Sequence, residues 1–520
     1  MTTPEVPGGA PEAGLAHRAF GAVLWTASQR WAVRITGFVT VAILTRLLSP
    51  AEFGTVAIAL SLLPIAYLLA DMGFSTYIVQ AKDVDQRMLS TAFWFTSAIG
   101  VVLAGALVAA APLISALFDV PDVALVVVGL APAVLIVTLT TVPMSLLRRR
   151  MRFQALATQS IVAALVGQAA AVVIALMGFG VWALVAQTVL NQLVVSVFGW
   201  MYARWRPGLS FSVHEFRAMA SFGVKVVGVE IVEVGRSLVE NAIVIAALGV
   251  TGLGYLNVAQ RLTQIAQDVT AAAILPVSTV VFARVRDAPV RLRSVYRRSL
   301  SLAYGVIVPV MVFVALTSPI LLPGVFGQKW GPSVVTSQVL AVASIFVMGA
   351  MLDHGLLYGA GRPGVWFIYA VVIDGLTVLS AALMARHGLV FWALGFLAVA
   401  IVATFVRWPL VASVLESSWR SLAWLFLRAM ATAVVSGGIG FAVYALCGSL
   451  NPVICVLVTG VAVVLAQLLA MRMFMREALK DIFQMTVVRL GGLVRSRRAT
   501  REPESSPVPG ENDHVSRNEV

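Results

Sequence analysis

The sequence predicts an all-α polytopic membrane protein of about fourteen transmembrane helices, built as two pseudo-symmetric six-helix lobes plus two C-terminal helices. Three observations predict it: an apolar composition, a one-sided distribution of basic loops, and an internal repeat. Apolar residues make up 60% of the 520 and charged residues only 12%, with a mean hydropathy of +0.93. A soluble globular protein carries about 25% charged residues. The apolar runs are too long for the strands of a membrane barrel, and each reaches the ~20 residues that a helix needs to cross the hydrocarbon core.

A polar tail of residues 1–18 leads into span 1, Ala19–Leu48. Spans 2 to 6 follow at Glu52–Val79, Leu89–Leu117, Val123–Leu147, Ala155–Met177 and Val181–Ala203. The basic, aromatic connector Arg204–Arg217 comes next, and its Phe211–Phe216 part reads as an interfacial helix. Spans 7 to 12 are Ala218–Gly249, Leu253–Ala283, Ser299–Leu322, Ser333–Gly359, Val365–Ala385 and Leu389–Leu415. Leu422–Leu446 and Pro452–Met475 complete the set. From Arg476 the chain is basic and then turns polar and rich in Pro, Ser and Glu, a composition that predicts disorder. Met1–His17 lacks the basic and apolar regions of a cleavable signal peptide. Cys447 and Cys455 have no metal-ligand spacing and read as small hydrophobes, so no cofactor or metal is expected.

The net charge of +13 resides in loops and predicts topology rather than nucleic-acid binding. With both termini cytoplasmic, the loops of that side hold seventeen Lys and Arg residues and the opposite loops only Arg46, Lys329 and Arg386. One span more or fewer in the middle would scramble this asymmetry.

Three pairs of segments recur in the same order. LSPAEFGTVAIA (48–59) and GVTGLGYLNVAQ (249–260) align Gly54 with Gly254. LLRRRMRF (146–153) matches LLYGAGRPG (356–364), with Arg152 opposite Arg362, and GFGVWALV (178–185) matches GLVFWALG (388–395). Spans 1–6 therefore correspond to spans 7–12. Six is even, so the halves share one orientation, a plan in which the site lies between them.

Ionisable groups at membrane depth are costly and mark pathways. Span 7 carries Lys225, Glu230, Glu233, Arg236 and Glu240, of which Glu233, Arg236 and Glu240 share one face. The triad either neutralises itself as packing or lines a cavity. Span 1 adds Arg30 and Arg34, four residues apart, and span 8 a polar stripe of Gln260, Arg261, Gln264, Gln267 and Asp268. Arginine presents a fork of donors to phosphate oxygens, and amides match sugar hydroxyls. The competing reading of the glutamines is hydrogen bonding between helices. Asp353 with His354 is a candidate for a coupling ion, whereas Asp71, Asp374 and Arg407 suit helix ends or local ion pairs. The Arg148–Arg152 cluster could dock a phosphate, but the topology signal already explains it.

TRLLSPAEFGTVAIA, ADMGFSTYIVQ, the LLRRRMRF connector, GYLNVAQRL and ILPVSTVVFARV together resemble the polysaccharide exporters. These form the Wzx-like branch of the multidrug/oligosaccharidyl-lipid/polysaccharide flippase superfamily. The resemblance covers spans 1 to 12 and loosely the last two. It implies a V-shaped two-lobe fold around a central cavity, in the bacterial cytoplasmic membrane. The implied substrate is an undecaprenyl-diphosphate-linked oligosaccharide moved from inner to outer leaflet, with a polysaccharide polymerase and glycosyltransferases as partners. A cation-coupled multidrug antiporter of the same fold is the alternative, although span 1 offers arginines where a cationic drug would want a carboxylate. Short external loops disfavour an embedded glycosyltransferase or polymerase. The sequence has no phosphate-binding GxxxxGK[ST] loop for a primary pump.

Overall fold

A computed structural model describes residues 33–34, 36–274, 282, 285–447, 450–481 and 483–484, and among them there are helices and turns but no strand. The helices are α1 (Thr36–Leu47), α2 (Pro50–Asp71), α3 (Phe74–Gln80), α4 (Gln86–Phe118), α5 (Pro121–Arg149), α6 (Phe153–Leu176) and α7 (Trp182–Ala203). They continue with α8 (Val213–Ile274), α9 (Pro289–Leu321), α10 (Ser333–Gly359), α11 (Pro363–Met384), α12 (Leu389–Val414), α13 (Trp419–Leu446) and α14 (Pro452–Phe474). Among the described residues, twelve helices are long and apolar enough to cross a membrane. The expected fourteen needs α8 counted twice and the stretch before α1, most of which lies outside the described residues. α8 runs for 62 residues and breaks at Gly249 (φ 69°, ψ 179°), the boundary set between spans 7 and 8. Leu113, Val434 and Leu457 are more than 60% exposed, an apolar surface suited to lipid.

Helix starts follow local chemistry. Proline occupies the first turn of α2, α5, α9, α11 and α14, where its missing N–H is not needed. Ser49 and Glu52 close a capping box on α2: Ser49 Oγ accepts from the Glu52 amide at 3.2 Å, and the Ser49 amide donates to Glu52 Oε2 at 2.6 Å.

The repeat is written in the backbone as well. Left-handed or otherwise positive φ angles occur at Asp119 and Gly327, Met151 and Gly361, Gly178 and Gly388, and Arg204 and Glu416, pairs separated by 208, 210, 210 and 212 residues. Arg152 and Arg362, aligned from sequence, are the N-cap residues of α6 and α11.

The two halves cross where α2 and the second part of α8 begin. A Cβ on Gly54 would stand 2.0 Å from the Val250 carbonyl oxygen, and one on Gly254 would stand 2.0 Å from that of Pro50. Each contact is the repeat image of the other, so a pseudo-twofold axis passes between the glycines. The same end is tied by side chains. Arg46 Nε donates to the Val325 carbonyl at 2.9 Å while Arg46 Nη2 donates to that of Gly324. Lys329 Nζ donates to the Leu48 carbonyl at 2.6 Å, and Trp330 Nε1 to that of Thr45 at 2.9 Å.

At the opposite end residues 204–212 form an extended strap rather than an interfacial helix. Gln86 Nε2 donates to the Arg206 carbonyl at 2.7 Å, Trp94 Nε1 to the Gly208 carbonyl at 2.8 Å, and the Ser212 amide to Thr91 Oγ1 at 2.9 Å. With its polar groups satisfied by α4, the strap has no need of helical bonds. Val213–Phe216 is the first turn of α8, and Phe216 packs against Phe74 and Phe95. Here too the halves touch: a Cβ on Gly223 would meet the Met72 carbonyl oxygen at 1.8 Å. The arginine cluster serves helix ends: Arg149 donates to the carbonyls of Ile78, Ala81 and Lys82, and Arg150 to that of Ala203.

Candidate functional site

Beneath the glycine crossing, between the halves, lies a cavity of about 580 Å³. Its polar lining comes from Ser61 on α2, Gln187 on α7, and Arg236, Ser237, Asn241, Asn257 and Arg261 on α8; Val41, Phe53, Val56, Leu60 and Pro64 supply apolar wall. At 1.5 Å per residue, Arg236 and Arg261 sit about 20 and 18 Å along their helices from Gly249.

The lining follows the repeat. Ala57 and Asn257, and Ser61 and Arg261, are equivalent at the spacing that pairs Gly54 with Gly254, and all four face the cavity. The axis therefore runs through the site, with small groups on one wall and polar or charged groups on the other.

Arg236 is held by two carboxylates. Its Nη1 lies 2.7 Å from Glu240 Oε2, and its Nε lies 3.1 Å from Asp374 Oδ1 on α11. Two negative charges thus surround one positive charge. The Glu240 partner was legible from the spacing of four, whereas the second partner is Asp374, 138 residues away. Glu233's side chain lies outside the described residues. Arg261 is exposed to the cavity and, among the described residues, makes no ion pair.

Other expected site residues are distributed more widely. Arg34 is half-buried, precedes α1 and is not among the residues that line the cavity. Arg30 falls outside the described residues. Gln260 is half-buried and Gln264 exposed, and neither lines the cavity. Gln267 points away from it and donates to Ser344 Oγ of α10 at 2.9 Å, a bond between helices. The cavity amides Gln187, Asn241 and Asn257 escaped the sequence reading, which weighed charge above amides. Stepping three and four residues from the aligned glycines would have found Asn257.

Asp353 and His354 do not form one site. Adjacent residues leave a helix about 100° apart. Asp353 is buried, accepts from the Tyr296 hydroxyl and is paired with Arg407, itself buried. His354 is exposed and packs tilted against Tyr358 at 4.3 Å and edge-on to Trp366 at 5.3 Å. The cation facing Asp353 is a residue of the chain.

Fold and cavity define a two-lobed, multi-pass membrane protein with a polar site between the lobes. Residues 43–335 match the polysaccharide biosynthesis protein family, more than half of the chain, and the protein belongs to that family. It is 27% identical over 375 residues to the succinoglycan biosynthesis transport protein ExoT of Rhizobium meliloti, covering 72% of this chain and 76% of that one. It is 24% identical over 438 residues to the lipopolysaccharide biosynthesis protein WzxC of Escherichia coli, covering 82% and 88%. Among solved structures, the lipid II flippase MurJ in an inward closed conformation superposes with a TM-score of 0.72 at 13% identity, over 87% of this chain and 99% of that one, a likeness of fold.

Proposed function

We propose that the protein is a flippase that carries an undecaprenyl-diphosphate-linked oligosaccharide or polysaccharide precursor across the bacterial cytoplasmic membrane by alternating access. One observation carries this reading: in the cavity between the halves, an arginine that makes no ion pair among the described residues stands with three amides. Arg261 suits the diphosphate and Gln187, Asn241 and Asn257 suit the sugar. Family membership and the transport role in the name ExoT support it. Arg236 becomes a positioning residue, fixing α8 against α11. Orientation follows the loop charges, with both termini and the basic loops cytoplasmic. A polymerase and glycosyltransferases are the enzymes that would consume and supply such a substrate. A cation-coupled drug antiporter fits less well, since Arg261 repels a cationic drug.

The test is flipping of a defined lipid-linked oligosaccharide in proteoliposomes. Arg261→Ala should abolish it with folding intact, and Arg261→Lys should restore part, because a point charge loses the paired donor geometry. Full activity of Arg261→Ala would overturn the assignment.

A further inference from the structure

On the face that carries the basic loops, the ends of α9, α13 and α14 line a second cavity of about 1310 Å³ that shares no lining residue with the central one. Its walls hold Arg293, Arg297, Arg298, Arg428, Arg476 and Lys480 against two carboxylates, Glu477 and Asp481, a net charge of +4. Two of the cations build the walls. Arg298 clamps the helical segment after α14 through both Asp481 oxygens, at 2.6 and 2.5 Å. Arg293 donates to the carbonyls of Leu415 and Glu416 at 3.1 and 2.5 Å, fixing α9 to the end of α12. Arg297, Arg428 and Lys480 make no ion pair among the described residues.

Arg428 points to the ligand. It lies nine residues into α13, about 13 Å from the helix start, and is exposed on a surface whose neighbours Trp424 and Leu427 are 57% and 55% exposed. An arginine that faces lipid at this depth is costly unless it reaches an anion or the interface. Its guanidinium sits 5.3 Å from the Trp424 ring, which orients it without neutralising it. Met473 and Phe474 on α14 complete an apolar wall beside the cations. Basic pockets between transmembrane helices at this level bind phosphorylated lipid headgroups.

We propose that this cavity seats the phosphate headgroup of an anionic lipid from the leaflet on the basic-loop side, with its acyl chains against Trp424, Leu427 and Met473. Arg297, Arg428 and Lys480 hold the phosphate. The source is either a bulk phospholipid or a phosphorylated prenyl lipid, and the site is separate from the one on the pseudo-twofold axis.

The full-length protein, purified and placed in phosphatidylcholine nanodiscs, is titrated with phosphatidylglycerol, and bound lipid is counted by native mass spectrometry. The wild type should retain phosphatidylglycerol over phosphatidylcholine. Arg297→Gln/Arg428→Gln/Lys480→Gln should bind it at least about tenfold more weakly. Arg87→Gln/Arg204→Gln/Arg217→Gln, which removes the same charge from the same face, should bind as the wild type does. Equal retention of both lipids by the wild type overturns the proposal, and so does an equal loss in the second triple. Arg428→Gln alone, which should lose part of the affinity, serves if the first triple does not fold; an unchanged affinity there counts against the site. Competition with undecaprenyl phosphate assigns the source. Displacement at equimolar concentration makes it the prenyl lipid, and displacement only in excess makes it the bulk phospholipid.

Discussion

An alanine at Gly54 or Gly254 tests whether the reciprocal crossing governs opening of the lobes. Either Cβ would stand 2.0 Å from a carbonyl oxygen, where ordinary contact begins at 3.4 Å, so the helices must part by about 1.4 Å. The opposing atoms are helix backbone and cannot rotate aside. Overpacking of this kind costs about 1–3 kcal/mol, borne only by the arrangement in which this end is shut. The balance between shut and open should therefore shift by roughly 5- to 150-fold. The reporter is Ser61→Cys in the cavity, with Cys447 and Cys455 replaced by alanine, labelled by an impermeant thiol reagent from the face opposite the basic loops. Both single variants should label faster and by similar factors, since each contact is the image of the other. The double variant should exceed either, though by less than their product, because the sites share one crossing. Unchanged labelling in both, with flipping intact, would refute the reasoning, and so would an effect confined to one glycine.

Arg236→Gln should lower the thermal stability of detergent-solubilised protein by on the order of 1–3 kcal/mol, because it strands Glu240 and Asp374; the Arg236→Gln/Glu240→Gln/Asp374→Asn triple should recover most of it. Stability of the triple no better than that of the single variant would show that the ion cluster is not self-compensating. In the buried pair, Arg407→Ala should cost about 3–5 kcal/mol, while Arg407→Met with Asp353→Leu should melt near the wild type; a double variant as unstable as the single one would mean that the pair does more than cancel charge. For orientation, Arg291→Cys should be shielded from an impermeant thiol reagent in intact cells and Asp122→Cys should label, with the reverse pattern inverting the topology.

The fold was open to sequence reading because a bilayer restricts it: backbone polar groups must be satisfied inside each span, so length and apolarity announce the helices. The repeat was legible at its turns, where Gly178 and Gly388 share an unusual backbone angle. Pairings within one helix, such as Arg236 with Glu240, follow from a spacing of four. Those between distant helices do not, and this hid the Arg236–Asp374 and Asp353–Arg407 pairs. Loop arginines carry a second ambiguity, because residues that set topology also cap helices. Arg149 does so at three carbonyls of α3 and its following loop, and nothing in LLRRRMRF tells one role from the other.

The exchange of contacts between Gly54 and Val250 and between Gly254 and Pro50 is the signature of an isologous interface, where residue i meets j and j meets i. Two identical chains that associate give this geometry, and here it occurs inside one polypeptide. In an unfused dimer a change at the residue now numbered 61 would have appeared on both walls of the cavity at once. A single chain is free of that constraint, and here one repeat has Ser61 where the other holds Arg261. A polar, one-sided pocket on a symmetric frame is thus what duplication permits and a symmetric dimer forbids, and a bound headgroup would lie off the axis, against the second copy's wall.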